Sequence, residues 1–156
     1  MTMLRPDRFI TAMRHSAAIL PPLLKDVTLE QAQTLTDGPD GWCIAEIVGH
    51  LLDFEEIFME RAMRMAAEDH PLLVNCDQNA LVIEHGYKTQ DFREIMALWQ
   101  GKRAEFIAWL EARSEAEWPR TGVHSTWGTI TVLEQAMQIS THDLNHFDQM
   151  MKVLGG

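Results

Sequence analysis

The chain has 156 residues and a formal net charge of −10, with 13 Lys and Arg against 23 Asp and Glu. Nucleic-acid binding rests on clustered Lys and Arg, and an anionic membrane surface attracts the same residues, so the acid surplus argues against both partners. A chain of this length buries roughly two thirds of its unfolded surface and folds without staples, so residues 1–156 read as a single domain.

The first long helix is predicted from about Pro6 to Leu24. Phe9, Met13 and Ala17 have helical spacing, and Ile10 and Leu20 widen the face. Pro21-Pro22 should end or kink it. Thr28-Leu29-Glu30-Gln31 has capping-box form and opens a short turn of helix, and Asp37 to Gly41 is a loop by its turn chemistry. The second long helix begins at Trp42 or Cys43 and runs to Glu68, with Ile44, Ile47, Leu51, Phe54, Phe58 and Met65 on its apolar face. Pro71 to Thr89 reads as irregular, with one short helix from Asn79 to Glu84. Thr89 is the expected N-cap of the third long helix, which runs to about Arg113. Ser114 to Gly128 reads as loop. Thr129 or Thr131 caps the fourth long helix, with Thr131-Val132-Leu133-Glu134 a second capping-box match, and that helix stops at Gly155-Gly156.

No strand alternation is evident, so the predicted fold class is all-α: a four-helix bundle. The link between the second and third long helices exceeds a tight hairpin. It predicts a long crossover that lets those two helices run parallel.

Val132, Gln135, Ile139, His142, His146, Gln149 and Val153 recur at alternating steps of three and four, the pattern of a helix seam facing other helices. His142 and His146 therefore stack on one inward face, about 6 Å apart along the axis. Two imidazoles side by side in a core want a shared partner, and a divalent metal is the simplest one. A firm site needs a further ligand. His70 and His124 fall in loops, and His85 lies beside Gly86 in the irregular segment. His15 and His50 both lie near apolar helix faces. Spacing favours His50 only modestly, through Ile47 and Phe54.

The stretch Trp42-Cys43-Ile44-Ala45-Glu46-Ile47-Val48-Gly49-His50-Leu51-Leu52-Asp53 resembles the second-helix motif of the DinB/YfiT-like proteins, where a Trp precedes a helix carrying His-Leu and a nearby acid. The segment from Gly128 through His142-Asp143-Leu144-Asn145-His146-Phe147-Asp148-Gln149 is similar to that family's C-terminal helix, His-x-x-x-His-x-x-Gln. The resemblance covers essentially the whole chain in length and helix order. It implies a bundle with a long second crossover, a metal held by His50, His142 and His146, and a homodimer.

Three neutral imidazoles leave a divalent ion's charge uncompensated, so a bound water or thiol loses its proton readily. Three ligands from two helices leave a face open, as in catalytic rather than structural sites. Imidazole suits Zn, Ni or Fe. The resemblance favours transfer or isomerisation of a small molecule through a low-molecular-weight thiol, since relatives include mycothiol-dependent isomerases and bacillithiol-type S-transferases. The alternatives are a metal-dependent hydrolase, a metal-binding stress or regulatory module without turnover, and a bare interaction scaffold.

Asp53, one turn after His50, is the candidate to orient a ligand or handle a proton. Asp143 and Gln149 are candidates to brace the ligands, though Asp143 also reads as an acid facing solvent. Glu46 and Gln135 are placed in the same region. Cys43 and Cys76 form no Cys-x-x-Cys pair and no disulfide framework. With an N-terminus lacking an apolar signal segment, they suggest a reducing cytoplasm. Cys43 reads as a small buried hydrophobe, and Trp42 and Trp127 as packing anchors at helix starts, with lining of the pocket mouth as the alternative.

Overall fold

The computed structural model describes residues 4–155. Helix α1 spans Pro6–Leu23 and a short α2 spans Leu29–Thr34; α3 is Ile44–Ala67 and α4 is Gln78–His85. A 3-10 turn at Tyr87–Thr89 leads into α5, Phe92–Glu111, and the chain ends in α6, Val132–Val153. Three short strands lie between them: β1, Leu72–Leu73; β2, Thr121–His124; and β3, Gly128–Thr131.

The four long helices α1, α3, α5 and α6 form the bundle. Helix α3 packs against α5 and α6, and α1 packs across the opposite sides of the same two helices. At one end the core joins Leu20, Ile47 and Leu51 to Trp99 and Met150; at the other it joins Met13, Phe58 and Met65 to Phe106 and Val132. Helices α3 and α5 therefore run parallel and α6 runs antiparallel to both. The long connection from α3 to α5 makes that crossover. No helix among the described residues is long and apolar enough to cross a membrane.

The all-α expectation holds for the bundle but missed a small sheet. Strand β2 lies between a parallel β1 (Leu72↔Val123) and an antiparallel β3 (Thr121↔Thr131), making a three-stranded sheet. Strands of two to four residues carry too little alternation to be read locally. Their pairing is created by bringing the crossover beside the segment before α6. Gly128 opens β3 with φ of 77°, a backbone setting that side chains with a Cβ resist.

Two helix boundaries also differ from expectation. Pro21 and Pro22 lie inside the last turn of α1 rather than ending it. Pro21 has no N–H for the Ala17 carbonyl, which instead accepts from Gln100 Nε2 at 3.5 Å. Thr89 does not cap α5; Asp91 does, accepting from the Arg93 N–H at 2.9 Å. Both remaining capping boxes form as read, at Thr28/Gln31 and Thr131/Glu134.

One ion cluster ties all four long helices together. Arg103 on α5 donates to Glu55 on α3 at 2.8 and 2.7 Å, to Asp143 on α6, and to Ser16 and the Met13 carbonyl on α1. Arg103, Glu55 and Asp143 are all buried. A buried charge is tolerated only when paired and hydrogen-bonded in this way.

Candidate metal centre

Helix α3 starts where Cys43 takes extended backbone geometry and the Glu46 carboxylate accepts the Cys43 N–H at 2.9 Å. That cap fixes the helix two turns before His50. His50 then faces α6 at the height of His142 and His146, as antiparallel packing requires. The ligating atoms of the three histidines all lie within 4.8 Å of one another, and His50 Nε2 is 2.9 Å from His142 Nε2. Three nitrogens each ~2.1 Å from one tetrahedral ion would stand about 3.4 Å apart. The His50–His142 pair stands slightly inside that value, and no pair lies beyond 4.8 Å.

The protonation of His146 follows from its neighbours. Gln149 Nε2 donates to the Asp37 carboxylate at 2.7 Å. A carboxylate can only accept, so Gln149 Oε1 is the atom facing His146 Nδ1, at 2.8 Å. Nδ1 therefore carries the proton, and the Nε2 lone pair is free for a cation. His50 has no such brace: its Nδ1 is buried without a hydrogen-bond partner. Rings hold it instead, Trp42 at 4.8 Å and Phe54 at 4.4 Å between centroids. His142 lies stacked on Phe54 and edge-on to Phe58.

All three imidazoles are kept neutral. Burial, and then the nearby His146, lowers His50 to about 3. Burial, with His146, His50 and Arg103 nearby, lowers His142 to about 2. His146 is lowered by burial, although its bond to Gln149 and the charge of Asp143 oppose this. Neutral nitrogens that converge at one point suit a divalent cation, so the donor set fits a metal.

A cavity of about 390 Å³ opens onto His142 and His146, walled by Phe54, Phe58, Arg61 and Trp127. A second, of about 260 Å³, reaches His146 from the side of Trp42 and Asp37. Trp42 and Trp127 thus border the site, the alternative to a purely packing role.

Other expected roles are redistributed. Asp53 is not in the wall of the larger cavity. It points toward the crossover, where its Oδ1 accepts from Tyr87 OH and contacts His85 Nδ1 at 2.9 Å. Burial raises its pKa despite both contacts. Asp143 neither braces a ligand nor faces solvent: it is spent on Arg103 and Ser16, because adjacent helix positions point about 100° apart. Glu46 serves as a helix cap. Gln135 is buried, and both its amide atoms lack partners. Gln149 does brace His146. Cys43 is buried, as read, and burial raises its thiol. His15 is exposed, which leaves His50 as the histidine facing the pair.

Sequence reading missed Asp37 and Arg61. Asp37 had only turn chemistry to mark it. Arg61 offered a signal that went unused, since it lies seven residues after Phe54 on the inward face of α3.

The sequence matches the DinB superfamily model over residues 12–150. The chain belongs to the DinB superfamily. Among solved structures it is similar to YfiT from Bacillus subtilis, described as a probable metal-dependent hydrolase with an unusual four-helix bundle topology. Identity is 21%, with 98% of this chain and 87% of that one covered and a TM-score of 0.89. It is also similar to the mycothiol-dependent maleylpyruvate isomerase, at 13% identity and a TM-score of 0.79. That match covers 96% of this chain and 63% of the isomerase, so the present chain spans less than two thirds of that enzyme. No curated protein sequence matches. At these identities the likeness to the two structures shows a shared fold.

Proposed function

We propose that this superfamily member is a metal-dependent enzyme acting on a small molecule, with His50, His142 and His146 as the ligands of a divalent Zn, Ni or Fe ion. The supporting observation is the convergence of three neutral imidazoles within 4.8 Å beside a cavity. When bound, such an ion supplies Lewis acidity that makes a thiol or water acidic enough to act as nucleophile near neutral pH. The chain's own groups do the rest. Gln149 and Asp37 hold the His146 ring in the ligating tautomer. Phe54, Phe58 and Trp127 give the cavity one apolar side, opposed by the polar side chains of Arg61, Asn75, Gln78 and Gln138.

The preferred reaction is transfer or isomerisation through a low-molecular-weight thiol, which the fold shared with the mycothiol-dependent isomerase supports. The second reading, hydrolysis, is supported by YfiT, whose structure superimposes over nearly the whole chain. We also propose a homodimer in the cytoplasm.

Elemental analysis of purified wild type against His142→Ala tests the ligand set. The expected result is about one metal per chain in the wild type and its loss in the variant; equal metal in both would remove the proposal. Calorimetry of the zinc-loaded protein with cysteine, glutathione, bacillithiol and mycothiol then separates the two reactions. Binding of a thiol supports transfer or isomerisation, and indifference to all four supports hydrolysis.

A further inference from the structure

Two arginines are buried in this bundle and they are treated differently. Arg103 is neutralised by Glu55 and Asp143. Arg61, 2% exposed, has no ion-pair partner among the described residues. Its Nη2 donates to the Val74 carbonyl at 3.0 Å, and its Nη1 is buried with no acceptor at all. The neighbouring acid, Glu60, is exposed, lies 3.8 Å from Arg64 and reaches Arg61 only through a long-range charge effect that, with Cys76, falls short of the cost of burial. A guanidinium does not shed its proton in a protein, so an unpaired cation stands in the wall of the cavity that opens onto His142 and His146.

A second donor lies close by. His124 Nδ1 accepts the backbone N–H groups of Thr126 and Trp127, at 3.1 and 3.3 Å. Its proton is therefore on Nε2, which is also buried without a partner. The ring is stacked on Trp127, another wall of the cavity, and is near enough for the Arg61 charge to oppose its protonation. Arg61 lines the cavity, and His124, which does not, stands beside it through its stack on Trp127; two buried donors without an acceptor cost stability unless a ligand supplies the acceptor. Asp77 also lines this cavity, but its Oδ1 is taken by the Asn79 and Ala80 N–H groups as the cap of α4, so the guanidinium is left to an incoming anion, and its planar fork matches a carboxylate.

We propose that Arg61 Nη1 and His124 Nε2 form a carboxylate-recognition subsite, so that the substrate is a small carboxylate whose reactive group lies at the three histidines. This deepens the metal-enzyme reading and rests on it for the reaction, but not for the binding. The cavity has room for about a dozen water-sized groups, the scale of a small organic acid.

The test compares acetate, benzoate and succinate with their uncharged amides, by calorimetry and melting temperature, on chelator-treated and zinc-loaded protein. At least one acid should bind tenfold or more tightly than its amide. Arg61→Met should weaken that acid by ~10- to 100-fold, without lowering the melting temperature of the ligand-free protein, because an unpaired buried charge has been removed. Arg61→Lys keeps the charge without the fork and should fall between them. If Arg61→Met does not fold, Arg61→Lys and Arg61→Gln carry the comparison. No preference for any acid over its amide, or an unchanged preference in the folded variants, overturns the proposal. Preference dependent on Arg61 in a protein that holds no metal would uphold this subsite while sinking the metal reading. Zinc binding without such preference would do the reverse.

Discussion

Gln149 accepts the Nδ1 proton of His146 at 2.8 Å, and this contact decides which nitrogen of the ring can meet a cation. Because Gln149 is itself oriented by Asp37, the tautomer is set by a chain of two hydrogen bonds running out to the loop before α3. Outer partners of this kind usually contribute 10- to 100-fold in metal affinity. Gln149→Leu should therefore weaken zinc binding by about that factor, read by competition against a chromophoric chelator. Asp37→Ala should give a smaller loss in the same direction. Wild-type affinity in Gln149→Leu would show that the contact is idle.

The buried histidines predict how the metal-free protein responds to acid. His50 and His142 sit at about 3 and about 2 when folded, below the ordinary 6.5. Unfolding restores ordinary basicity, so between those limits the unfolded chain binds more protons than the folded one. Stability is then complete above about pH 6.5 and falls as the pH drops through the window toward 3. Urea unfolding in chelator at pH 7.5 and pH 5 should show a lower midpoint at pH 5. The drop should be smaller in His142→Leu. Equal drops in the two proteins would count against neutral burial as its source.

The Arg103 cluster predicts an asymmetry between single and combined changes. Arg103→Met leaves two buried carboxylates without their cation and should cost ~3–5 kcal/mol in chemical denaturation, whereas Glu55→Leu keeps the Arg103–Asp143 pair and should cost less. Replacing Glu55, Arg103 and Asp143 together by apolar residues of similar volume should recover most of that loss. A triple variant no better than the worst single one would mean that the cluster contributes through packing rather than charge.

Gly49, directly before His50, predicts a steric effect. A Cβ there would lie 2.1 Å from Tyr87 Cδ2, so the Tyr87 ring rests on the α3 backbone at the one place without a side chain. Gly49→Ala should push Tyr87 off Asp53 and destabilise the protein by ~1–3 kcal/mol, despite alanine's better helix propensity. Unchanged or greater stability in denaturant would show that the crossover shifts freely.

The four long helices were legible because helical periodicity and capping are local. The apolar spacing of Ile44, Ile47, Leu51, Phe54 and Phe58 and the box at Thr131/Glu134 act within a few residues of backbone. The facing of His142 and His146 followed from the same 3.6-residue period. The match of His50 to that pair was suggested by spacing and fixed by resemblance to a family. Periodicity alone left His15 open.

Tertiary structure decided the partners. The backbone gives Asp143 a direction, but only the arrival of Arg103 and Ser16 from two other helices makes it a structural ion rather than a brace for the ligands. Asp53 likewise faces Tyr87 and His85 because the crossover folds over that side of α3. The sheet depends on residues 72–73 meeting 123–124, and the unpaired state of Arg61 on which chain passes beside it. Local sequence sets which way a side chain points. What it meets there depends on segments tens of residues away, whose approach is governed by burial of the whole core.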